Sequence, residues 1–245
     1  MHLTRRADWF FAYTALGARY VNERGFPRER TTVLWNTLDT HALAADLDKV
    51  TESQADSFRR EHKLTTGRTA LFLGGVDPAK GIDFLLSAAT IAGRLLPGFT
   101  LLIGGSGDSL NAVRRAESTG APVRALGRLD GEQKALALAV SDVLAIPEWI
   151  GLVAVDSLVA GRPVVSTRHH SHSPEAEYLD PGRTAVFTDH NSQAYAEGLV
   201  ALLASPELPP MQQRCLDEAP KYDIDGMADR FVEGILAWQE YARHR

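Results

Sequence analysis

The chain has 245 residues, in which 26 lysines and arginines face 31 aspartates and glutamates for a formal net charge of −5. With 44% hydrophobic and 23% charged residues it has the make-up of a globular protein rather than a disordered or fibrous one, and its acidity excludes the broad basic field that a nucleic-acid partner requires. The single cysteine, Cys215, excludes an internal disulfide framework and fits a reducing, cytoplasmic setting; no run approaches the roughly 18 apolar residues of a membrane span, and the basic pair Arg5-Arg6 is followed only by the short run Trp9-Phe10-Phe11-Ala12, not by a secretory signal.

In chain order, residues 8–14 read as a strand, 15–24 as a helix ending at Gly25, and 31–35 as a second strand. That is one βαβ unit over residues 1–40, too small to bury its own faces. The polar stretch 41–68 reads as a helix and connection. From residue 69 to 222 two signals alternate. Short apolar runs at 69–74, 99–104, 122–127, 142–147, 163–167 and 184–188 are bounded by Gly, Pro or Asp, and between most of them apolar residues recur at helical spacing. Ile82, Leu85, Leu86, Ala89 and Leu96 make one helical face, and Leu136, Leu138 and Val140 belong to another helix. Runs apolar on both faces, separated by helix-length segments, indicate a parallel sheet covered on both sides: an α/β, doubly wound, Rossmann-like fold. In residues 223–245, Met227, Phe231, Ile235 and Trp238 form an apolar stripe on a terminal helix, expected to pack back on the N-terminal unit and its Trp9, Phe10 and Phe11.

An open parallel sheet binds its ligand beyond the carboxyl ends of its strands. After the first run comes Gly74-Gly75-Val76-Asp77-Pro78-Ala79-Lys80-Gly81, where paired glycines admit a close backbone approach and Lys80 stands at the front of a helix; a glycine-rich turn with a solvated lysine fits the same residues. After the second, Gly104-Gly105-Ser106-Gly107-Asp108 looks like a dinucleotide fingerprint, but Leu110 stands where the third glycine belongs, so it reads as a tight turn lining the cleft. After the fourth, Glu148 and Asp156 bracket a helix start near Gly151. Amides there suit a phosphate and the two acids can accept from sugar hydroxyls, the description of a nucleotide sugar; a helix-capping Glu148 and a surface Asp156 fit as well.

These pieces together resemble glycosyltransferase family 4. The likeness rests on residues 7–14, on 25–39 ending Val33-Leu34-Trp35-Asn36-Thr37-Leu38-Asp39 (the family's v-x-N-G-v-D), on 72–86, on 104–107 and on 147–165, where Glu148 and Asp156 take the places of the family's E-x7-E acids and Gly161-Arg162-Pro163 follows. The resemblance implies the donor-binding half of a retaining enzyme of the two-domain GT-B architecture, moving a sugar from a nucleotide-diphosphate sugar to a saccharide or lipid-linked acceptor without a metal or other cofactor. It implies that Lys80, Gly74 and Gly75 serve the donor diphosphate with the amides of Gly151, Leu152 and Val153, that Glu148 is the catalytic carboxylate facing the sugar, that Asp156 binds the ribose, and that backbone at Gly127 and Arg128 meets the base. Ser173 and Glu175, with His172, stand where the family has a glycine-rich loop facing the sugar. A location in the cytoplasm or peripherally at the inner membrane goes with it.

Three departures shape the expectation. The family's arginine after the first glycine is Gly75, the second acid is Asp rather than Glu, and most of an N-terminal acceptor domain has no counterpart, residues 1–40 matching only its end. A nucleotide-sugar-binding module without transferase activity of its own is therefore the alternative, completed by a homodimer or by a separate acceptor-domain chain. Asp46-Leu47-Asp48 and Asp223-Ile224-Asp225 spell a metal-binding D-x-D but fall in helical segments; His169, His170 and His172 lack Cys or acidic partners for a metal; and no G-x-S-x-G hydrolase elbow occurs.

Overall fold

The computed structural model of the chain describes residues 7–168 and 172–244. It opens with β1 (Phe10–Ala12), α1 (Ala15–Asn22) and β2 (Thr31–Val33), the two strands pairing in parallel. The strands are shorter than the sequence suggests: Thr14 leaves the first to cap α1, its hydroxyl accepting from Gly17 N. Residues 41–68 form two helices, α2 (Thr40–Asp48) and α3 (Glu52–His62), divided by a capping box in which Thr51 and Gln54 satisfy each other's amides.

The main sheet comprises β3 (Thr69–Leu73), β4 (Thr100–Gly104), β5 (Val123–Gly127), β6 (Val143–Ala145), β7 (Val164–Thr167) and β8 (Ala185–Thr188), all parallel, in the order β5-β4-β3-β6-β7-β8. Its four inner strands are buried on both faces because helices cover both, while the edge strands β5 and β8 are only partly buried. One layer holds α4 (Ile82–Leu95), α5 (Leu110–Ser118) and α8 (Ser192–Leu203); the other holds α6 (Gly131–Val140), α7 (Val153–Val159) and α9 (Leu208–Glu218), with α2 and α3 against α6. The chain winds outward from β3 to β5, then crosses back to β6, so the order reverses between β3 and β6. A crevice opens there beyond the strand ends.

Cys215 on α9 is fully buried with its thiol 3.8 Å from Thr184 O, and burial pushes it up to about 12. It should therefore resist alkylation in the native protein at pH 8 and react only after unfolding, a difference read by mass spectrometry with and without urea; rapid native labelling would contradict this packing.

The long helix α10 (Ile224–Arg243) returns to the N-terminal unit. The line of contact runs through Gly234, where an added Cβ would stand 2.5 Å from Phe11 and 2.7 Å from Thr32 Oγ1. Phe11 meets Phe231 at 4.8 Å between ring centroids, Phe10 meets Phe26 at 5.9 Å, and Trp9 Nε1 donates to Thr32 Oγ1. The apolar stripe is thus not the buried line: Phe231 and Trp238 stay 43% and 40% exposed. The residue without a side chain permits the closest approach, so it sets which face meets the strands.

The junction between this unit and the main sheet is polar and aromatic. Glu177 accepts from the amides of Ala15 (2.9 Å) and Leu16 (2.8 Å), placing a carboxylate on the α1 start. Tyr178 stacks on Tyr222 at 4.1 Å, with Trp35 tilted against Tyr178 and edge-on to Tyr222, and the Tyr178 hydroxyl donates toward Asn36 O.

Candidate functional site

The loops after β3 and β4 zip together at the crevice floor. Gly74 N donates to Gly104 O (3.1 Å), Val76 N to Ser106 O (2.9 Å), and Gly105 N to Gly127 O at the end of β5 (2.7 Å). A Cβ on Gly105 would lie 1.8 Å from Gly74 O, and one on Gly107 2.6 Å from Val76 O. Gly105 and Gly107 thus permit a backbone-to-backbone approach that a side chain would block. Above this floor is a space of about 370 Å³ lined by Gly74, Gly75, Gly104, Gly105 and Ser106, by Arg128 and Leu129, and by Lys134, Val153 and Asp156.

Asp156, on α7, is 7% exposed and forms an ion pair of 2.6 Å with Lys134 of α6. Burial pushes its carboxyl above the usual aspartate range, and the Lys134 charge opposes that without cancelling it. Arg128 pairs with Asp130 at 2.8 Å, both in solvent, and Gly127 holds φ at +73° where the chain leaves β5.

Glu148 does not line this space. It lies over Gly81, where a Cβ would come within 3.1 Å of Glu148 Oε1, and His190 Nε2 donates to the same oxygen at 2.8 Å. Lys80 is here too, just ahead of α4, with its ammonium 5.7 Å from the centre of the Trp149 ring. Lys80 has no ion pair among the described residues; burial lowers its pKa, and the charge of Asp77 offsets part of that. Trp149 sits at φ +54°, in the left-handed region. The helix α7 starts at Val153 rather than near Gly151, and the amides of Gly151, Leu152 and Val153 have no partner among the described residues.

The loop after β7 is placed otherwise than expected. His172 Nδ1 accepts from Ile150 N (3.3 Å) while its Nε2 donates to Thr167 O (2.8 Å), so both ring nitrogens tie backbone segments together and neither is left for a sugar. Ser173 N bonds Ile150 O. Glu175 is buried at the junction, accepting from Asn36 Nδ2 at 2.7 Å, and so faces the N-terminal unit. His169 and His170 lie outside the described residues. Asp46 pairs with Lys49, and Asp223 caps α10 by accepting from Gly226 N. Two functional candidates escaped the sequence reading, Lys134 and His190, because each takes its meaning from an acid distant along the chain.

Strand order, covered parallel sheet and crevice at the reversal place the chain among doubly wound α/β domains that hold a ligand at the strand ends. Comparison with known proteins makes this specific: the model of the family described as glycosyl transferases group 1 matches residues 67–205, and the chain belongs to that family. The phosphatidyl-myo-inositol mannosyltransferase of Mycobacterium tuberculosis is 32% identical over 182 residues, covering 68% of this chain and 47% of the relative. The chain thus spans about half the length of the curated relatives it matches. Among solved structures, Anabaena HepE in complex with UDP-glucose superposes with a TM-score of 0.76 at 19% identity, covering 96% of this chain and 66% of that one. Sucrose-phosphate synthase from Thermosynechococcus elongatus gives 0.74 at 18%, covering 99% and 60%. The fold is that of the GT-B glycosyltransferases, matching their C-terminal domains. Among the described residues no helix is long and apolar enough to cross a membrane.

Proposed function

We propose that the crevice binds the diphosphate and nucleoside of a nucleotide sugar, and that the protein to which this chain corresponds moves the sugar to a saccharide or lipid-linked acceptor with retention of configuration. The observation that carries the reading is Lys80: an ammonium partly stripped of water, with no ion pair among the described residues, on the loop after β3, while the amides of Gly151, Leu152 and Val153 after the neighbouring strand β6 have no partner among those residues. Such a group is most stable when an anion arrives. In this reading Lys80 and the amides of Gly151, Leu152 and Val153 meet the charge that develops on the departing diphosphate. Glu148 faces the oxocarbenium-like sugar, and Asp156, paired with Lys134, accepts from ribose hydroxyls. Backbone at Gly127 and Arg128 meets the base. The curated relatives' name, phosphatidyl-myo-inositol mannosyltransferase, favours a mannosyl group and a lipid acceptor, which would bring the protein to a membrane surface.

The test begins with thermal stabilisation of the chain by UDP, GDP, ADP and their hexose conjugates, since a ligand specific to the native state raises Tm. Lys80→Ala should weaken both the preferred nucleotide and inorganic pyrophosphate by about tenfold or more, as befits a charged hydrogen bond of roughly 1.5–3 kcal/mol. Asp156→Asn should weaken the nucleotide and leave pyrophosphate unchanged. Stabilisation by no nucleotide, or unaltered binding in Lys80→Ala, would sink the donor-site assignment. Binding without sugar transfer to any acceptor would instead support a module lacking activity of its own.

A further inference from the structure

We infer that His190 is a positioning residue that fixes the Glu148 carboxylate for the sugar of the donor, an inference that rests on the donor-site reading above. An imidazole beside a carboxylate at a protein surface is ordinarily worth little. Three observations set this pair apart.

First, Glu148 is not at the surface: its side chain retains 15% exposure, against 37% for His190. Second, the imidazole is clamped. It lies flat on Phe84, with ring centroids 4.8 Å apart and planes inclined by 18°. Phe84 in turn meets the edge of Tyr195 at 5.4 Å, and the fully buried Tyr195 is anchored by its hydroxyl donating to Val165 O of β7 at 2.8 Å. A continuous stack therefore runs from the sheet to the histidine. The backbone of His190 is fixed as well, because the next residue, Asn191, caps α8 by accepting from Gln193 N and Ala194 N. Third, Glu148 Oε1 is bound by His190 Nε2 at 2.8 Å, and the Gly81 turn passes so close that an added Cβ there would stand 3.1 Å from the same oxygen. Oε2 has no protein partner among the described residues.

A glutamate in water samples many rotamers and must be ordered when a ligand arrives. Here one oxygen is bound in advance, so the other is presented in a set direction without that ordering penalty. The consequence is selective. His190 should strengthen recognition of the sugar, through Glu148, and leave recognition of the nucleotide diphosphate alone.

Calorimetry on the whole chain separates the two, using UDP, GDP or ADP, whichever the wild type binds best, and the glucose and mannose conjugates of that nucleotide. His190→Ala should weaken the better conjugate by about tenfold, the scale of a lost hydrogen bond to a charged group, while the diphosphate stays within about twofold. His190→Gln restores an N–H near the same place and should recover the conjugate to within about threefold of wild type. Phe84→Leu keeps both partners but removes the flat support, and should give an intermediate, sugar-specific loss. This variant carries the test should His190→Ala melt below the working temperature. Unchanged conjugate binding in both His190→Ala and Phe84→Leu, equal loss of conjugate and diphosphate, or no recovery with Gln would overturn the positioning role while leaving the donor site standing. A wild type that binds no nucleotide would overturn the donor site and this inference together.

Discussion

A Gly105→Ala variant should lose about 3–5 kcal/mol of stability, or fail to fold, although it adds a single methyl group. The methyl carbon would stand 1.8 Å from the carbonyl oxygen of Gly74 and 3.1 Å from a Val76 methyl, at a residue whose φ of +147° already disfavours an L side chain. A backbone oxygen cannot rotate away as a flexible side chain does. The loop after β3 must therefore separate from the loop after β4, and the bonds Gly74 N to Gly104 O and Val76 N to Ser106 O go with it. Backbone strain of roughly 1–3 kcal/mol and about 1 kcal/mol for each hydrogen bond give the stated sum. The control is Gly25→Ala: φ there is +92°, but nothing lies within 4 Å of the added carbon, so only the conformational penalty of about 1–2 kcal/mol applies. Urea unfolding with the slope m held in view reads both. If the two variants lose the same amount, conformation rather than close approach explains Gly105.

The covered sheet was legible because burial on both faces leaves an unambiguous mark: the six apolar runs coincide with β3 to β8 to within a few residues at each end. That Gly74, Gly75 and Asp156 line the crevice has a related reason, since in this topology the segments after the strands must reach it; Lys80, on the same loop as the two glycines, is not among its lining residues. Other features were written in the sequence without being decisive. The Thr51-Glu52-Ser53-Gln54 capping box divides α2 from α3, yet the same four residues also suit an irregular connection. The stripe on α10 has helical spacing, but spacing cannot say that Gly234 and not Phe231 makes the closest approach. His190 lies 42 residues from Glu148, and nothing local to either indicates the other. The opposite error occurs at His172, a polar residue after a strand and so a plausible ligand group, whose two nitrogens are consumed by Ile150 N and Thr167 O. Strand ends tell which segments can reach a ligand; which side chains are already committed to backbone is decided by tertiary packing.

Lys134→Ala should destabilise the protein by about 2–3 kcal/mol at pH 7 and by much less near pH 4. Breaking one side of a buried ion pair typically costs about 3–5 kcal/mol, and the figure is discounted here because the Lys134 side chain keeps 25% exposure. The pH dependence follows from Asp156, whose carboxyl burial pushes upward and Lys134 pulls back. Between the unfolded aspartate value of about 3.9 and the raised native value, the native chain holds a proton that the unfolded chain has released, so this group's contribution to stability falls as pH rises through that window. Without Lys134 the native value climbs further and the window widens upward, so the gap between variant and wild type must grow from pH 4 to pH 7. Asp142, also raised by burial, is common to both proteins and cancels in the difference. Adding Asp156→Asn to Lys134→Ala removes the stranded charge and should recover most of the loss at pH 7 while changing little at pH 4. Urea unfolding of wild type, single and double variants at pH 4, 5.5 and 7 gives the comparison. A deficit of the same size at every pH would mean that Lys134 acts through the packing of its methylene chain and that its charge does not keep Asp156 ionised.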